Sequence, residues 1–256
     1  MVTFRQRLKH LLTSFKQVRG GVRALTNFAQ FAHTRNIFAQ KSIDLVLDVG
    51  ANNGQFASEI RSFYKGEIFS FEPVSSAFKQ LQKTSAGDSD WKCFKLAMGS
   101  KEGNGSIRVT AGTQLSSFLK QSAACQMFGE EAERIEEERV PIRRLDEFLH
   151  ETVPDFRERR IFLKVDTQGF DLEVIKGLGD CVRFISALQS EVSIVPLYEG
   201  MAHWTECMSL YERAGFVVAG MFPVTLDYLR VIEFDCLMVR EESLAVAAPA
   251  RVSKFA

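Results

Sequence analysis

The chain has 256 residues, enough for one large domain or for a domain with an extension. Its 46% apolar and 25% charged content is that of a globular protein, and no apolar run approaches the ~18–20 residues of a membrane span. Formal net charge is zero, but the first 41 residues hold eight basic side chains and no acid; setting these aside leaves 24 basic against 32 acidic residues, a balance that argues against nucleic acid as the main partner.

The five cysteines, Cys93, Cys125, Cys181, Cys207 and Cys236, are scattered, and none falls in a C-x-x-C pair. They read as reduced thiols of a cytoplasmic protein. Early basic residues interrupt the apolar ones, so no signal-peptide core is read at the start.

Residues 4–28 place Phe4, Leu8, Leu11, Phe15, Val18, Val22, Leu25 and Phe28 at steps of three and four. That spacing predicts an amphipathic helix with a basic polar face and a candidate break at Gly20-Gly21. Such a helix either covers one side of a sheet or lies peripherally on an anionic membrane surface or a partner. Residues 1–42 are read as this extension, 43–241 as the main domain, and 242–256 as a flexible Ala-rich tail.

From residue 45 the chain alternates strand and helix. Strands are predicted at 45–49, 67–71 and 91–97, with helices at 55–64 and 75–85, the second capped by Ser75 or Ser76. This βαβαβ order implies a parallel sheet with right-handed crossovers. Gly103, Gly105 and Gly112 flank Ser106 to Thr110, which reads as an inserted hairpin. Six glutamates crowd residues 130–138 and read as a solvated helix face. Helix resumes near Asp146 to Leu149. Strand four is read at 161–166, its helix at 170–178, strand five within 185–195, a helix at 204–213, and strands six and seven at 216–219 and 234–239.

The stretch Asp48-Val49-Gly50-Ala51-Asn52-Asn53-Gly54 follows the first strand and opens a helix. Strand, glycine turn and helix N-terminus make a ligand cradle. A dinucleotide site asks for G-x-G-x-x-G and a pyrophosphate. Here three residues separate Gly50 from Gly54, and Asp48 would repel a pyrophosphate. A carboxylate suits a cationic ligand without phosphate, and S-adenosylmethionine has that chemistry. Glu72 ends the second strand, where a carboxylate bonds ribose hydroxyls. A nicotinamide-dependent oxidoreductase on a Rossmann sheet is the competing reading.

Ligands of an open α/β sheet sit outside the carboxyl ends of its strands. Strand four ends on Asp166 and strand five carries Glu191. Three readings of this pair stand side by side: a general base for a hydroxyl, a divalent-cation site, or structural carboxylates. A divalent cation is allowed by the pairing and is not the expectation. Lys164 shares a strand face with Asp166, so an ion pair is expected there. His203, in the loop after strand five, is a further candidate for the reaction.

Together these motifs resemble the FkbM family of S-adenosylmethionine-dependent methyltransferases. The resemblance rests on Asp48 to Gly54, Phe71-Glu72-Pro73, Leu96-Ala97-Met98-Gly99, Ser116-Ser117-Phe118-Leu119, Leu145 to Leu149, Lys164 to Gly169 with Glu173 to Gly177, Glu191-Val192-Ser193 and Leu197 to Gly200, in that order. It spans about residues 44–240 and leaves out the N-terminal 40. It implies an α/β, Rossmann-like class I methyltransferase fold: seven mostly parallel strands, the last antiparallel. It implies O-methylation, with an acceptor hydroxyl on a sugar, glycan or glycolipid, or on a polyketide or other small molecule. Contact with the cofactor falls to Asp48, Gly50, Ala51, Asn52, Gly54, Glu72, Pro73, Ala97, Met98 and Asp166. The reaction centre falls to Asp166 and Glu191; His203 is a candidate from its loop position alone. Where many members have an acid before the glycine that follows strand four, this chain has Gln168.

Overall fold

Five consecutive buried residues at Leu45–Val49 (β1) and again at Ile161–Val165 (β7) mark strands covered on both faces, as a central parallel sheet requires. A computed structural model describes residues 4–227 and 230–241, and side chains from residue 23 onward. The tail expected at 242–256 and the apolar stripe expected before residue 23 lie outside the described residues and side chains.

The chain begins with α1 (Phe4–Lys41). It runs unbroken through Gly20-Gly21, where the sequence placed a candidate break, and on to Lys41. After β1 come α2 (Gln55–Ile60), β2 (Glu67–Phe71), α3 (Ser75–Thr84) and β3 (Trp91–Phe94). The predicted third strand divides: Ala97–Met98 forms β4, in a different sheet from β3. Gly103–Thr110 (β5) and Arg134–Arg143 (β6) follow, then α4 (Leu145–Thr152), β7, α5 (Asp171–Lys176), β8 (Ile185–Ser193), α6 (Trp204–Arg213), β9 (Phe216–Asp227) and β10 (Arg230–Arg240).

Seven strands form one sheet in the order β3-β2-β1-β7-β8-β10-β9. The pairs β2–β1, β1–β7 and β7–β8 are parallel, and β10 is antiparallel to both neighbours. This is the expected class I methyltransferase arrangement. A second sheet, β4-β6-β5, is the insertion. Its β6 takes the second half of the glutamate run expected to be a helix, Glu136 to Glu138, while Glu130 and Glu131 lie at the end of a 3-10 helix just before it. An exposed strand carries no apolar period to announce it; β6 is held instead by the β5 ladder, with Arg108 opposite Glu137. The Glu138 carboxylate accepts from the Ser75 N–H at 3.0 Å, so this strand satisfies the start of α3. The cap position itself is Val74, not Ser75 or Ser76.

The sheet's period of two sorts its residues between two cores. Leu45, Leu47, Val49, Leu163 and Val165 face α4, α5 and α6, packing with Phe148, Val174 and Tyr211. Val46, Phe162, Ala187 and Leu237 face the other way, under Ile37 and Phe38 of α1. Phe38 meets Phe162 at 4.7 Å between ring centroids. The same parity carries Asp48, Lys164, Asp166, Gln189, Glu191 and Asp235 onto the α1 side. That half of the face, toward the carboxyl ends of the strands, is polar.

Candidate active site

The turn after β1 is shaped by what its backbone must pass. Gly50 has φ of +78°, and a Cβ there would lie 1.9 Å from the Asp166 carbonyl oxygen. No side chain fits, so the β1 and β7 turns touch through backbone. The Gly50 and Ala51 N–H groups donate to the Phe71 carbonyl at 3.0 and 3.1 Å. Gly54, at φ +85°, starts α2 against Leu81 and Trp91. Its part is packing of the turn rather than lining of a cavity.

Glu72, 5% exposed, accepts from the Asn52 N–H at 2.8 Å and from the Val74 N–H at 2.7 Å. Burial pushes its carboxyl up to about 7 despite these two donors. It stands in the wall of a narrow slot of about 70 Å³. Phe71, Pro73, Ala97, Met98, Phe118 and Phe170 make that slot mostly apolar. A flat heteroaromatic ring suits such a slot, and a carboxylate in its wall suits vicinal hydroxyls. The residues present fit an adenosyl group.

Beyond the slot lie two basins of about 400 and 570 Å³ that share Arg23, Gln114, Asp166, Glu191 and Val224. Asp166 and Gln114 line the slot and both basins. Asp166 therefore stands where the two kinds of space meet. Its Oδ2 takes a hydrogen bond from Lys164 Nζ at 3.1 Å, the expected ion pair. Its Oδ1 takes one from Gln168 Nε2 at 2.9 Å. The same Nε2 donates to Glu191 Oε2 at 2.8 Å, so one amide spans both carboxylates. The Tyr198 hydroxyl donates to Gln168 Oε1 at 2.8 Å and fixes which way the amide points. Burial, and then the carboxylates of Asp166, Glu233, Asp235 and Asp171, raise Glu191 well above its ordinary value. The pair is thus unequal: Asp166 is ion-paired, and Glu191 is driven toward its protonated form. Among the described residues, no group of three or more His, Cys, Asp or Glu is arranged to hold a metal ion.

Two sequence candidates sit elsewhere. Asp48 is 0% exposed and lines neither the slot nor the basins. It lies in register with Lys164 on the neighbouring strand, 3.7 Å from its Nζ, and accepts from Ser70 Oγ at 3.1 Å. Burial raises its carboxyl above the ordinary value, and Lys164 and Ser70 oppose that. Asp48, expected beside the cofactor, stands beneath the turn as a counter-ion to Lys164. His203 caps α6: its Nδ1 accepts from the Thr205 N–H, and Glu206 returns to the His203 N–H. It is absent from the lining of slot and basins. Ala51 lines the smaller basin through the turn.

Other residues escaped the sequence reading. Thr113 Oγ1 donates to Asn52 Oδ1 at 3.2 Å and closes the insertion over the turn, while Gln114 reaches the junction. Gln30, Asn27 and Phe31 of α1 line the smaller basin. Such contacts join segments far apart in sequence, and no local pattern marks them. Gln168 and Tyr198 did stand inside recognisable motifs, and their spacing was the available signal.

The segment 48–218 matches the family model described as the methyltransferase FkbM domain, two thirds of the chain. The chain is 24% identical over 213 residues to Methyltransferase 1 of Beauveria bassiana (strain ARSEF 2860), covering 74% of this chain and 82% of that protein. In fold it resembles the magnesium protoporphyrin IX methyltransferase (ChlM) of Synechocystis PCC 6803 with bound SAM, at TM-score 0.45, 11% identity, and coverage of 94% of this chain and 85% of that one. It also resembles precorrin-6y C5,15-methyltransferase from Geobacter metallireducens GS-15, at TM-score 0.43, 12% identity, and coverage of 86% and 87%. The family match decides between the methyl-donor and nicotinamide readings of the turn: the chain belongs to the FkbM family of S-adenosylmethionine-dependent methyltransferases.

Proposed function

We propose that the protein transfers a methyl group from S-adenosylmethionine to a hydroxyl of a sugar, glycan or glycolipid, with Asp166 receiving the hydroxyl proton. The observation that carries this is the place of Asp166 at the junction of an apolar slot and two polar basins. Glu72 would hold the ribose, with Pro73, Ala97 and Met98 around the adenine, and Gly50, Asn52 and Asp166 beside the methionine end. Bound, the cofactor supplies a methyl group on a positively charged sulfur. The chain's own residues position the acceptor oxygen and take up its proton. Lys164 and Gln168 hold the Asp166 carboxylate from two sides. Glu191, kept toward its neutral form, can donate a hydrogen bond to a neighbouring acceptor hydroxyl. A basin walled by carboxylates and amides suits a polyol better than an apolar chain.

Two further features support the wider setting. The five cysteines are unpaired, in keeping with a reducing cytoplasm. No helix among the described residues is long and apolar enough to cross a membrane. Leu25 and Phe28 are both 71% exposed, on the side of α1 opposite Asn27, Gln30 and Thr34. With the basic residues of this helix they favour a peripheral seat on an anionic bilayer, near a lipid-linked acceptor.

The test is Asp166→Asn. Radiolabelled methyl transfer should fall by 10²-fold or more, a typical contribution of a general base. Affinity for S-adenosylhomocysteine, read by calorimetry, should stay within about threefold, because asparagine keeps the shape of the side chain at the slot's mouth and the rest of the lining is unchanged. Full turnover in Asp166→Asn would remove Asp166 from the reaction.

A further inference from the structure

α1 lies wholly before residue 48, where the family match begins. Yet it is a wall of the smaller basin. Asn27, Gln30, Phe31 and Thr34 line it from above. Gln30 Nε2 donates to Asp235 Oδ2 at 2.6 Å, tying the helix to β10. Below lies the polar half of the sheet face, where Asp235 stands in register with Glu191.

The charge of this enclosure is one-sided. Glu59, Asp166, Glu191 and Asp235 line the smaller basin, and Glu131 and Glu233 line its continuation. Against them stand Arg23 and Lys164. Lys164 is already taken up by Asp166 and Asp48. With Glu191 kept toward its neutral form, an anionic group entering here still meets the carboxylates of Glu59, Asp166, Asp235 and Glu131. A second observation points to the kind of ligand that does fit. Gln189 lines the same basin, is 4% exposed, and its Oε1 has no hydrogen-bond partner. A buried carbonyl oxygen without a donor calls for one. Hydroxyl and ammonium groups are donors, whereas phosphate and carboxylate groups are not.

We infer that the acceptor is a polyol free of anionic groups, a neutral or amino sugar unit, held between α1 and the ends of β7, β8 and β10, with the carboxylates facing α1 setting this selectivity and α1 closing the enclosure. The inference rests on the methyltransferase reading above and narrows its acceptor. The occupant is recognised by donors all round and by the absence of a formal negative charge. Asn27, exposed on the basin-facing side of α1, is the residue through which the helix can be recharged without disturbing the sheet.

The experiment uses the full chain, radiolabelled S-adenosylmethionine, and four probes at equal concentration: methyl glucoside, glucosamine, glucuronate and glucose 6-phosphate. Transfer to the first two should exceed transfer to the last two by at least about tenfold, the ratio set by one like-charge contact near a protein surface. Asn27→Lys should shrink that ratio severalfold while leaving S-adenosylhomocysteine affinity and melting temperature unchanged. Equal transfer to anionic and uncharged probes, transfer to none of the four, or a ratio unmoved by Asn27→Lys overturns the inference. Failure of the unmodified chain to bind S-adenosylhomocysteine is a different result: it strikes the methyltransferase reading itself.

Discussion

Replacing Gln168 tests how the two carboxylates are held. The residue has φ of +54°, in the left-handed region, where a side chain other than glycine costs about 1–2 kcal/mol. Its amide returns that cost through Asp166, Glu191 and Tyr198. Hydrogen bonds to charged groups contribute about 1.5–3 kcal/mol each, less at a half-exposed site where water replaces them. Tyr198 does not lose its last partner, because its hydroxyl also reaches the Leu115 carbonyl at 3.1 Å. Gln168→Gly therefore removes the clamp and the backbone strain together. Its expected stability lies within about 1 kcal/mol of the parent, while kcat falls about 10–100-fold as Asp166 loses its orientation. Gln168→Glu places a third carboxylate within hydrogen-bond distance of the pair. At an effective dielectric near 20, like charges 4 Å apart repel by about 4 kcal/mol. The rising limb of kcat against pH should then move up by about 1–3 units. Radiolabelled transfer between pH 5 and 9 reads this, with calorimetric S-adenosylhomocysteine binding as the control. A Gln168→Glu profile that overlays the parent's would refute the clamp.

Three other perturbations reach different parts of the site. Gly50→Ala drives a Cβ to within 1.9 Å of the Asp166 carbonyl and adds about 1–2 kcal/mol of left-handed strain. Loss of S-adenosylhomocysteine affinity by at least tenfold and a lower melting temperature are expected, and an unchanged melt with full affinity would show the two turns need not touch. Lys164→Met strands the buried Asp48 carboxylate, and urea unfolding should show a loss of about 3–5 kcal/mol; a loss under 1 kcal/mol would mean the charges are not neutralising one another. Glu72, raised by burial from 4.5 to about 7, binds its proton more tightly folded than unfolded. Its contribution to stability is complete below pH 4.5 and is lost as pH rises through about 7. Relative to Glu72→Gln, which cannot ionise, the parent should lose up to about 3 kcal/mol between pH 4.5 and 8. A constant difference across that range would show that Glu72 is not perturbed.

The central strands were legible because burial on both faces leaves unbroken apolar runs, as at Leu45–Val49 and Ile161–Val165. Legibility failed where another segment supplies the reason for a structure. The glutamates of β6 are strand only because β5 lies beside them. The chain leaves β3 after Phe94 because Ala97 and Met98 pair with β6, more than forty residues on. β9 runs to Asp227 along β10, through Gly220 and Pro223, residues that locally read as ending a strand. At Gly20-Gly21 the local rule for helix breaking was outweighed along α1, a cost of about 1 kcal/mol per glycine that one long helix absorbs.

The place of Asp48 shows the same limit at the site, and shows how the site is charged. A carboxylate just before a glycine turn reads as a ligand contact. Whether it reaches the ligand depends on strand parity and on what stands opposite in the next strand. Asp48 is one residue short of the strand's end, on the α1 face, directly across from Lys164. Lys164 in turn lies two residues before Asp166 on that same face, so its ammonium meets both carboxylates and also donates to the Gly50 carbonyl at 3.2 Å. Burial alone would lower the ammonium's affinity for its proton, but Asp166 and Asp48 raise it above the ordinary value. One cation thus serves two anions, the first closed off beneath the turn and the second open to the cleft. Asp48 acts on the cleft through Lys164: with Asp48 present, the ammonium is held charged in a dry place, and it stays available to fix Asp166 at the mouth of the slot. Asp48→Asn should therefore leave the slot's lining intact and alter the reaction through Asp166, a split between turnover and cofactor affinity that a direct ligand contact would not produce.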